Sequence, residues 1–311
     1  MRYLLKRWRL NHKARPSSEI VPILSMMLGA IIISFSGVYV KLVDVAPSVS
    51  AFYRMFFGGI MLLIMVIFWK KRYWHSWKYF IFSAIAGLAI AYNLIIWHKA
   101  ILYVGPGLAT MLGNFQVFIM AFFGFFLFKE KLTFRFLFAI LLAITGLFLM
   151  VGMDWNQASE SYQFGIYFGL GTAVCYATYL LFLRIVQVMD QPLSAITNLC
   201  IITVIATITL YLIAISNQES LAIPNLHSWI YLMCYGLFSQ VIGWGIITFS
   251  LPRVKASLAG FILLMQPALT FVWDVLFFER LLNWSISLGI FITLTAIYLG
   301  TSSRGPDNKK P

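Results

Sequence analysis

Two charged side chains stand inside apolar stretches long enough to span a bilayer, and they are the residues best placed to do chemistry. Arg54 lies about two turns into one stretch, and Asp274 lies within another. A charge at the centre of a bilayer costs at least about 2.5 kcal/mol, so each needs a partner or a function. The guanidinium of Arg54 can bind a carboxylate or phosphate through two parallel hydrogen bonds. The alternatives are an ion pair with Asp274 or Asp44 and snorkelling to the nearby interface.

Asp274 is also the candidate for a membrane-embedded proton site. Gln266, Thr270 and Asp274 follow one another at steps of four, which places them on one helix face. Such a polar stripe has to face protein or a wet cavity, because lipid offers it no hydrogen bonds. Asp274 is a candidate coupling residue for a proton-driven process. A static ion pair or an exposed position at the outer end of the helix is the competing interpretation.

Amide and aromatic side chains recur at helical spacing in other apolar stretches. Taken singly, each fits core packing or an interfacial aromatic belt, and His98 is predicted to lie at the interface. Taken together, they offer polar groups between flat apolar walls, which suits a small amphiphilic solute. Asn114 and Gln116 are about 200° apart on a helix and cannot both face one cavity. The predicted substrate-binding residues are Arg54, Asn93, Trp97, Asn114, Gln116, Tyr176, Tyr179, Gln240, Trp244 and Gln266.

The composition says what kind of element must position these residues. Of 311 residues, 61% are apolar and 11% are charged, whereas soluble domains have about 45–50% and about 25%. This excludes a soluble globule or a disordered chain, and the continuous apolar runs exclude an outer-membrane barrel. We predict an all-α polytopic membrane protein. Its ten spans are 20–41, 48–69, 79–98, 105–128, 134–152, 163–185, 192–215, 228–250, 255–278 and 282–302.

The net charge of +13 indicates how the protein is oriented in the membrane. With both termini in the cytoplasm, that face receives 19 of the 23 basic residues, as the positive-inside rule requires. The exceptions are Lys41, Arg54, Lys99 and Arg280, of which Lys41 is predicted to anchor the outer interface. The basic segment 1–15 should associate with an anionic inner leaflet, and no role with nucleic acid is predicted. Three cysteines in apolar runs predict neither disulfide nor metal site.

The sequence also repeats itself with inverted topology. Leu108-Ala109 followed by Gln116 corresponds to Leu258-Ala259 followed by Gln266, and 127–132 corresponds to 276–281. Two units of five helices have opposite orientations, because five is odd. Inverted repeats are typical of alternating-access transporters, which bind substrate at the repeat interface. The predicted organisation is a basic cytoplasmic tail (1–19), two five-helix repeats (20–152 and 153–302) and a cytoplasmic C-terminal tail (303–311).

Several runs resemble the drug/metabolite transporter superfamily, in its ten-helix EamA-like branch. They are Phe35-Ser36-Gly37 with Lys41, Pro47 and Ala51-Phe52-Tyr53-Arg54; Ala100 with Tyr103 and Ala109, ending at Glu130-Lys131-Leu132; and Ser257-Leu258-Ala259 through Gln266-Pro267 to Glu279-Arg280-Leu281. The resemblance implies helices 1–4 and 6–9 around a central cavity, with helices 5 and 10 peripheral. It also implies metabolite transport, often the export of amino acids. Val117 departs from the pattern, since the family often has a proline in the fourth helix.

These observations together predict a secondary transporter for an amino acid or a related zwitterion or carboxylate, working in export. The alternative of the same fold is an exporter of drugs or hydrophobic cations, and the alternative of another class is a membrane-embedded enzyme. No Walker motif, HExxH motif or close acidic pair is present in the sequence. We therefore predict no catalytic residue, metal or cofactor. The expected setting is a bacterial cytoplasmic membrane, as a monomer or homodimer.

Overall fold

The computed structural model describes residues 20–71, 74, 76–116, 118–119, 134–151, 159–189, 193–250, 262–263, 265–279, 281 and 284–302. The predicted tails (1–19 and 303–311), Val117 and the repeat motifs at 127–132 and 257–259 lie outside these residues. The helices are α1 (Ile20–Ser34), α2 (Ser36–Leu42), α3 (Pro47–Phe68), α4 (Trp77–Gly113), α5 (Phe134–Val151), α6 (Glu160–Val188), α7 (Ala195–Ser216), α8 (Leu226–Cys234), α9 (Trp244–Ser250), α10 (Met265–Phe278) and α11 (Trp284–Ser302). A π-helical segment, Tyr235–Gly243, joins α8 to α9.

Every element in the described part of the chain is helical, as the sequence predicts. Six helical stretches are long and apolar enough to cross a membrane: 20–42, 47–68, 77–113, 160–183, 195–216 and 226–250. Their bounds lie within about four residues of predicted spans, apart from 77–113, which contains one predicted span and part of the next. The exact number of ten spans stays a prediction.

Helix starts follow local capping chemistry. Pro47 occupies the first turn of α3, where its missing N–H costs nothing. Ser76, Ser159 and Ser194 accept hydrogen bonds from backbone N–H groups in the first turns of α4, α6 and α7, and Asn225 does so for α8. Because these side chains satisfy N–H groups that have no partner inside the helix, they fix where each helix begins.

The long helix α4 contains a chain reversal. Gly105 has φ 84° and ψ 159°, a conformation that only glycine adopts readily, and Pro106 follows it. The indole Nε1 of Trp97 donates a hydrogen bond of 3.3 Å to Thr110 Oγ1, although 13 helical residues would separate them by about 20 Å. The chain therefore turns back at Gly105, and the two arms of α4 correspond to the predicted third and fourth spans.

The arms of α4 pack against α6, while α5 and α11 pack mainly against each other. The α5–α11 contact is close: a Cβ on Gly146 would lie 2.7 Å from the carbonyl oxygen of Gly289. The outward residues of this pair, such as Phe134 and Phe291, are exposed. This agrees with the peripheral fifth and tenth helices that the family resemblance implies. The central cluster of buried apolar residues is built mainly from α3, α4, α6 and α7.

Candidate functional site

A cavity lies at the centre of the bundle, where α1 to α4, α6, α9 and α10 meet. Its volume is about 60 Å³. The described residues that line it are Ile33, Ser36, Arg54, Ile90, Asn93, Leu94, Trp97, Thr110, Gly113, Asn114, Thr172, Tyr176, Trp244 and Gln266.

Seven of the ten residues predicted to bind substrate line this central cavity: Arg54, Asn93, Trp97, Asn114, Tyr176, Trp244 and Gln266. The other three do not. Tyr179 lies behind the wall and packs against Tyr176 and Trp244. Gln240 is buried and donates to Thr203 Oγ1 at 2.9 Å. Gln116 lies beyond the lining, as its angular separation from Asn114 requires. Whether the seven bind substrate stays a prediction.

Arg54 is the one charged side chain among the described lining residues, and it is 4% exposed. Its Nη1 donates to the hydroxyl of Tyr235 at 2.9 Å, and Cζ lies 4.9 Å from the centre of that ring. Its Nε is buried and has no hydrogen-bond partner among the described residues. Arg54 is therefore held by a neutral phenol, and part of its hydrogen-bonding capacity is unused.

Neither carboxylate considered as a partner for Arg54 from the sequence fills that role. Oδ2 of Asp274 accepts a hydrogen bond from the backbone N–H of Gly107 at 3.1 Å. Oδ2 of Asp44 accepts from Asn225 at 2.9 Å, at the end of the bundle predicted to be external. Snorkelling is also wrong, since the side chain points into the bundle. No acidic side chain among the described residues pairs with Arg54, which leaves it available to an external anion.

His98 extends the polar chain that begins at Arg54. The backbone carbonyl of Pro47 can only accept, so the 3.0 Å contact with Nδ1 fixes the proton on that nitrogen. Nε2 of His98 then accepts from the Tyr235 hydroxyl at 3.0 Å, and that oxygen accepts from Arg54. The prediction of an interfacial His98 is wrong, because the side chain is fully buried. Its place on one face with Leu94 and Ile101 was the sequence signal for burial.

Amide and indole groups form one side of the cavity. Nδ2 of Asn93 donates to the carbonyl of Thr172 at 3.0 Å, which ties the first arm of α4 to α6. Trp97 bonds Thr110 across the two arms of α4. Nδ2 of Asn114 donates a hydrogen bond to the carbonyl of Thr110 at 2.7 Å. The amide oxygen of Asn114 takes no part in this bond. Thr110 was missed by the sequence analysis, although it precedes Asn114 by one helical turn.

Aromatic rings form another part of the lining. The rings of Tyr176 and Tyr179 are nearly parallel, with centroids 6.1 Å apart. Trp244 meets both edge-on, at 6.2 Å from Tyr176 and 5.7 Å from Tyr179. Offset and edge-to-face contacts of this kind are the favoured geometries between aromatic rings. Tyr176 and Trp244 therefore pack favourably and add apolar ring surface to the lining of the cavity.

Asp274 supports the start of the second arm of α4 and does not line the cavity. Its bond to Gly107 is made to an N–H group of the first helical turn after Pro106. A carboxylate is favourable there, because the N-terminus of a helix carries partial positive charge. A Cβ on Gly107 would lie 2.6 Å from a ring carbon of Phe271 and 3.0 Å from Oδ2 of Asp274. The glycine is what allows α4 and α10 to approach.

Two helix irregularities lie at the level of the cavity. A turn at Phe35 separates α1 from α2, and Thr270 Oγ1 donates to the Ser34 carbonyl at 3.0 Å. The π-helical segment faces it, and Ser36 Oγ donates to Ser239 Oγ within it at 2.9 Å. Breaks in helical regularity occur where side chains or ligands satisfy the backbone, and π-segments are frequent at functional sites. Ser36 lines the cavity and was not among the predicted site residues.

At the end of the bundle predicted to be external, the connector between α7 and α8 is hydrogen-bonded to α3. Ser48 donates a hydrogen bond to Glu219. The hydroxyl of Tyr53 donates to the carbonyl of Leu221 at 2.7 Å. Together with the Asp44–Asn225 contact, these bonds tie elements of the two predicted repeats to each other at this end.

Comparison with known proteins identifies the family. No curated protein matches the sequence at a significant level. One solved structure, described only as a crystal structure of a protein, shares 14% identity with a TM-score of 0.65, and the alignment covers 93% of this chain and 99% of that one. This likeness concerns the fold alone. The EamA-like transporter family model matches residues 20–152 and 163–301, one block per repeat. The chain therefore belongs to the EamA-like transporter family, a family of membrane transporters within the drug/metabolite superfamily.

Proposed function

We propose that this transporter exports a small metabolite bearing a carboxylate, an amino acid or a related zwitterion, by alternating access. The observation that carries the proposal is Arg54 in the central cavity, held by a neutral phenol and with no acidic partner in the described part of the chain. A guanidinium in this position can receive a carboxylate through two charge-assisted hydrogen bonds. The aromatic wall of Tyr176 and Trp244 then receives the apolar part of the substrate.

Export of hydrophobic cations is the weaker candidate. Such a substrate would have to approach Arg54 in a site of low dielectric, where like charges repel strongly. The described lining residues include no carboxylate that would offset this repulsion. Asp274, the carboxylate that the sequence analysis considered as a partner for Arg54, accepts a hydrogen bond from the backbone of Gly107 instead. The charge of the cavity therefore favours an anionic group on the substrate.

The size of the cavity supports a mechanism in which the bundle changes shape. Ligand pockets for small molecules are typically several hundred Å³, while this one has a volume of about 60 Å³. An amino acid can enter only if the helices around the cavity separate. In inverted-repeat transporters, the two halves rock about such a central site. The turn at Phe35 and the π-helical segment are the positions where α1 and α8 can bend most easily.

Proton coupling through Asp274 stays a prediction, and its hydrogen bond gives that prediction a concrete form. Protonation would neutralise the carboxylate and weaken its charge-assisted bond to the Gly107 N–H. Because that bond joins α10 to the second arm of α4, a proton would loosen the contact between the two repeats. The charge of one side chain would in this way bias the packing of helices that line the cavity.

The proposed setting is a bacterial cytoplasmic membrane with both termini inside, as a monomer or homodimer, and rests on the charge bias and the family resemblance.

A substrate panel tests the function. Purified protein is titrated with amino acids, with their decarboxylated amines and with hydrophobic cations, and thermal stability is followed. A ligand at 100 times its Kd stabilises the folded state by about 2.7 kcal/mol. Stabilisation by the amines or cations and not by any carboxylate would overturn the proposal.

A further inference from the structure

A second cavity, here called the lateral groove, lies between the end of α3, the start of α4 and the start of α7. Its volume is about 240 Å³, and it shares no lining residue with the central cavity. Its rim is exposed, with Leu63 at 46%, and Trp74 and Val204 also accessible. Its floor is buried, with Cys200 at 4%. The groove therefore opens sideways from the bundle, toward the surrounding bilayer.

The groove lies at the level of a membrane interface. Trp69, Trp74 and Trp77 are all exposed beside its mouth, and the rings of Trp74 and Trp77 meet edge-on at 5.3 Å. Tryptophan is enriched where hydrocarbon meets the headgroups, because its ring is apolar and its N–H is polar. An occupant of the groove would thus have its apolar part inside the bundle and its polar end among the tryptophans.

The lining of the groove selects a hydrocarbon occupant. It consists mostly of aliphatic and aromatic side chains, including Leu63, Val66, Phe80 and Ile201. An ordered water needs two to four polar partners, which such a surface does not supply. In a bilayer the neighbouring molecules are lipids, so an acyl chain is the group available to fill the space. The hydroxyls of Ser76 and Thr197 in the lining are already hydrogen-bonded at helix starts, so the groove offers a water-soluble substrate little to bind.

The charge beside the mouth selects the headgroup. Lys70 and Lys71 are exposed on the segment that joins α3 to α4, and Lys78 is exposed in the first turn of α4. The sequence contains no acidic residue between Asp44 and Glu130. We propose that the lateral groove binds one acyl chain of an anionic phospholipid, whose phosphate-containing headgroup contacts these three lysines. Basic clusters at the membrane surface attract such headgroups.

Native mass spectrometry of the purified, delipidated full chain tests the proposal. The probes are phosphatidylglycerol, phosphatidylcholine with identical acyl chains, and glycerol phosphate, which has no acyl chain. We expect phosphatidylglycerol to bind at least about tenfold more tightly than phosphatidylcholine, and glycerol phosphate to form no adduct. Equal affinity for the two lipids would overturn the assignment of the headgroup, and binding of glycerol phosphate as tight as that of phosphatidylglycerol would overturn the role of the groove.

Two sets of variants separate the headgroup from the acyl chain. Replacing Lys70, Lys71 and Lys78 with glutamine should remove the preference for phosphatidylglycerol, whereas Lys41→Gln at the opposite end should keep it. Val204→Trp at the rim should fill the groove and weaken the binding of phosphatidylglycerol and phosphatidylcholine alike. Leu212→Trp on the outward face of the same helix serves as its control, since Leu212 is exposed outside the groove. An unchanged preference in the lysine variant, or full lipid retention in a folded Val204→Trp protein, would refute the proposal.

Discussion

Replacing Arg54 by methionine separates substrate binding from stability. The side chain is 4% exposed, it donates to Tyr235 at 2.9 Å, and its Nε has no partner among the described residues. A carboxylate bound through two charge-assisted hydrogen bonds loses both in this variant. We assign this loss about 3 kcal/mol, which corresponds to a Kd raised about 150-fold. The effect should fall on carboxylate substrates alone.

The same substitution should leave the fold nearly unchanged. Methionine retains most of the length and flexibility of the arginine stem, so the space beside Tyr235 stays filled. Exchanging a buried ionic group for a packed apolar one is often neutral or stabilising. The Tyr235 hydroxyl loses one donor but keeps its bond to His98. We expect the free energy of unfolding to stay the same or to rise, because the variant no longer buries a charge that lacks a counter-charge among the described residues.

Proteoliposomes loaded with the identified substrate provide the assay. At a substrate concentration near the wild-type Kd, counterflow should fall to nearly the level of protein-free vesicles in Arg54→Met, while the Tm in detergent stays at or above that of wild type. Arg54→Lys keeps the charge but loses the planar fork, and should give intermediate affinity. Lys41→Met serves as the control for removing a cation elsewhere. Counterflow within threefold of wild type in Arg54→Met would refute the assignment of Arg54 to the substrate site.

Three further predictions concern the contacts around the cavity. Gly107→Ala should lower stability by about 1–3 kcal/mol, because a Cβ does not fit there; Gly245→Ala, where nothing lies within 4 Å of the added carbon, should keep the wild-type Tm. Asp274→Asn should abolish uptake driven by a pH gradient and preserve counterflow; intact gradient-driven uptake would exclude this carboxylate from coupling. Tyr235→Phe removes the bridge between two buried polar groups and should cost about 1–3 kcal/mol; Tyr231→Phe, one turn earlier, should change the Tm little, and equal Tm losses would contradict the role of the bridge.

The sequence predicts the helices well because lipid imposes a uniform rule on them. In a helical membrane protein, each segment that spans hydrocarbon is apolar and about 20 residues long, and it makes its backbone hydrogen bonds within the helix. The bounds of α3 and α7 therefore lie within three residues of their predicted spans. The π-helical segment follows no such rule. It depends on neighbours: a Cβ on Gly236 would lie 2.8 Å from Phe57 Cβ and 2.9 Å from the Gly58 amide nitrogen. Packing of this kind cannot be derived from periodicity.

The candidate site residues show the same limit of prediction from sequence. Helical spacing places Tyr176 and Trp244 on inward faces, and both line the cavity. Spacing alone does not distinguish the first layer around a cavity from the layer behind it. Tyr179 shares a helix face with Tyr176 yet lies behind it. The side-chain amide of Gln240 donates a hydrogen bond to Thr203 across a helix interface. These distinctions depend on the distances between helices, which no single helix encodes.

Arg54 without an anion is costly to bury, and this cost bears on how the transporter cycles. A buried ion that lacks a counter-charge loses several kcal/mol of hydration, and the hydrogen bond to the neutral Tyr235 replaces only part of it. A carboxylate substrate would neutralise the guanidinium in the closed cavity more fully than in an open, hydrated one. A ligand shifts an equilibrium toward the state it binds better. On the proposed function, the substrate therefore favours closure of the cavity around itself, and the empty protein favours a cavity open to water.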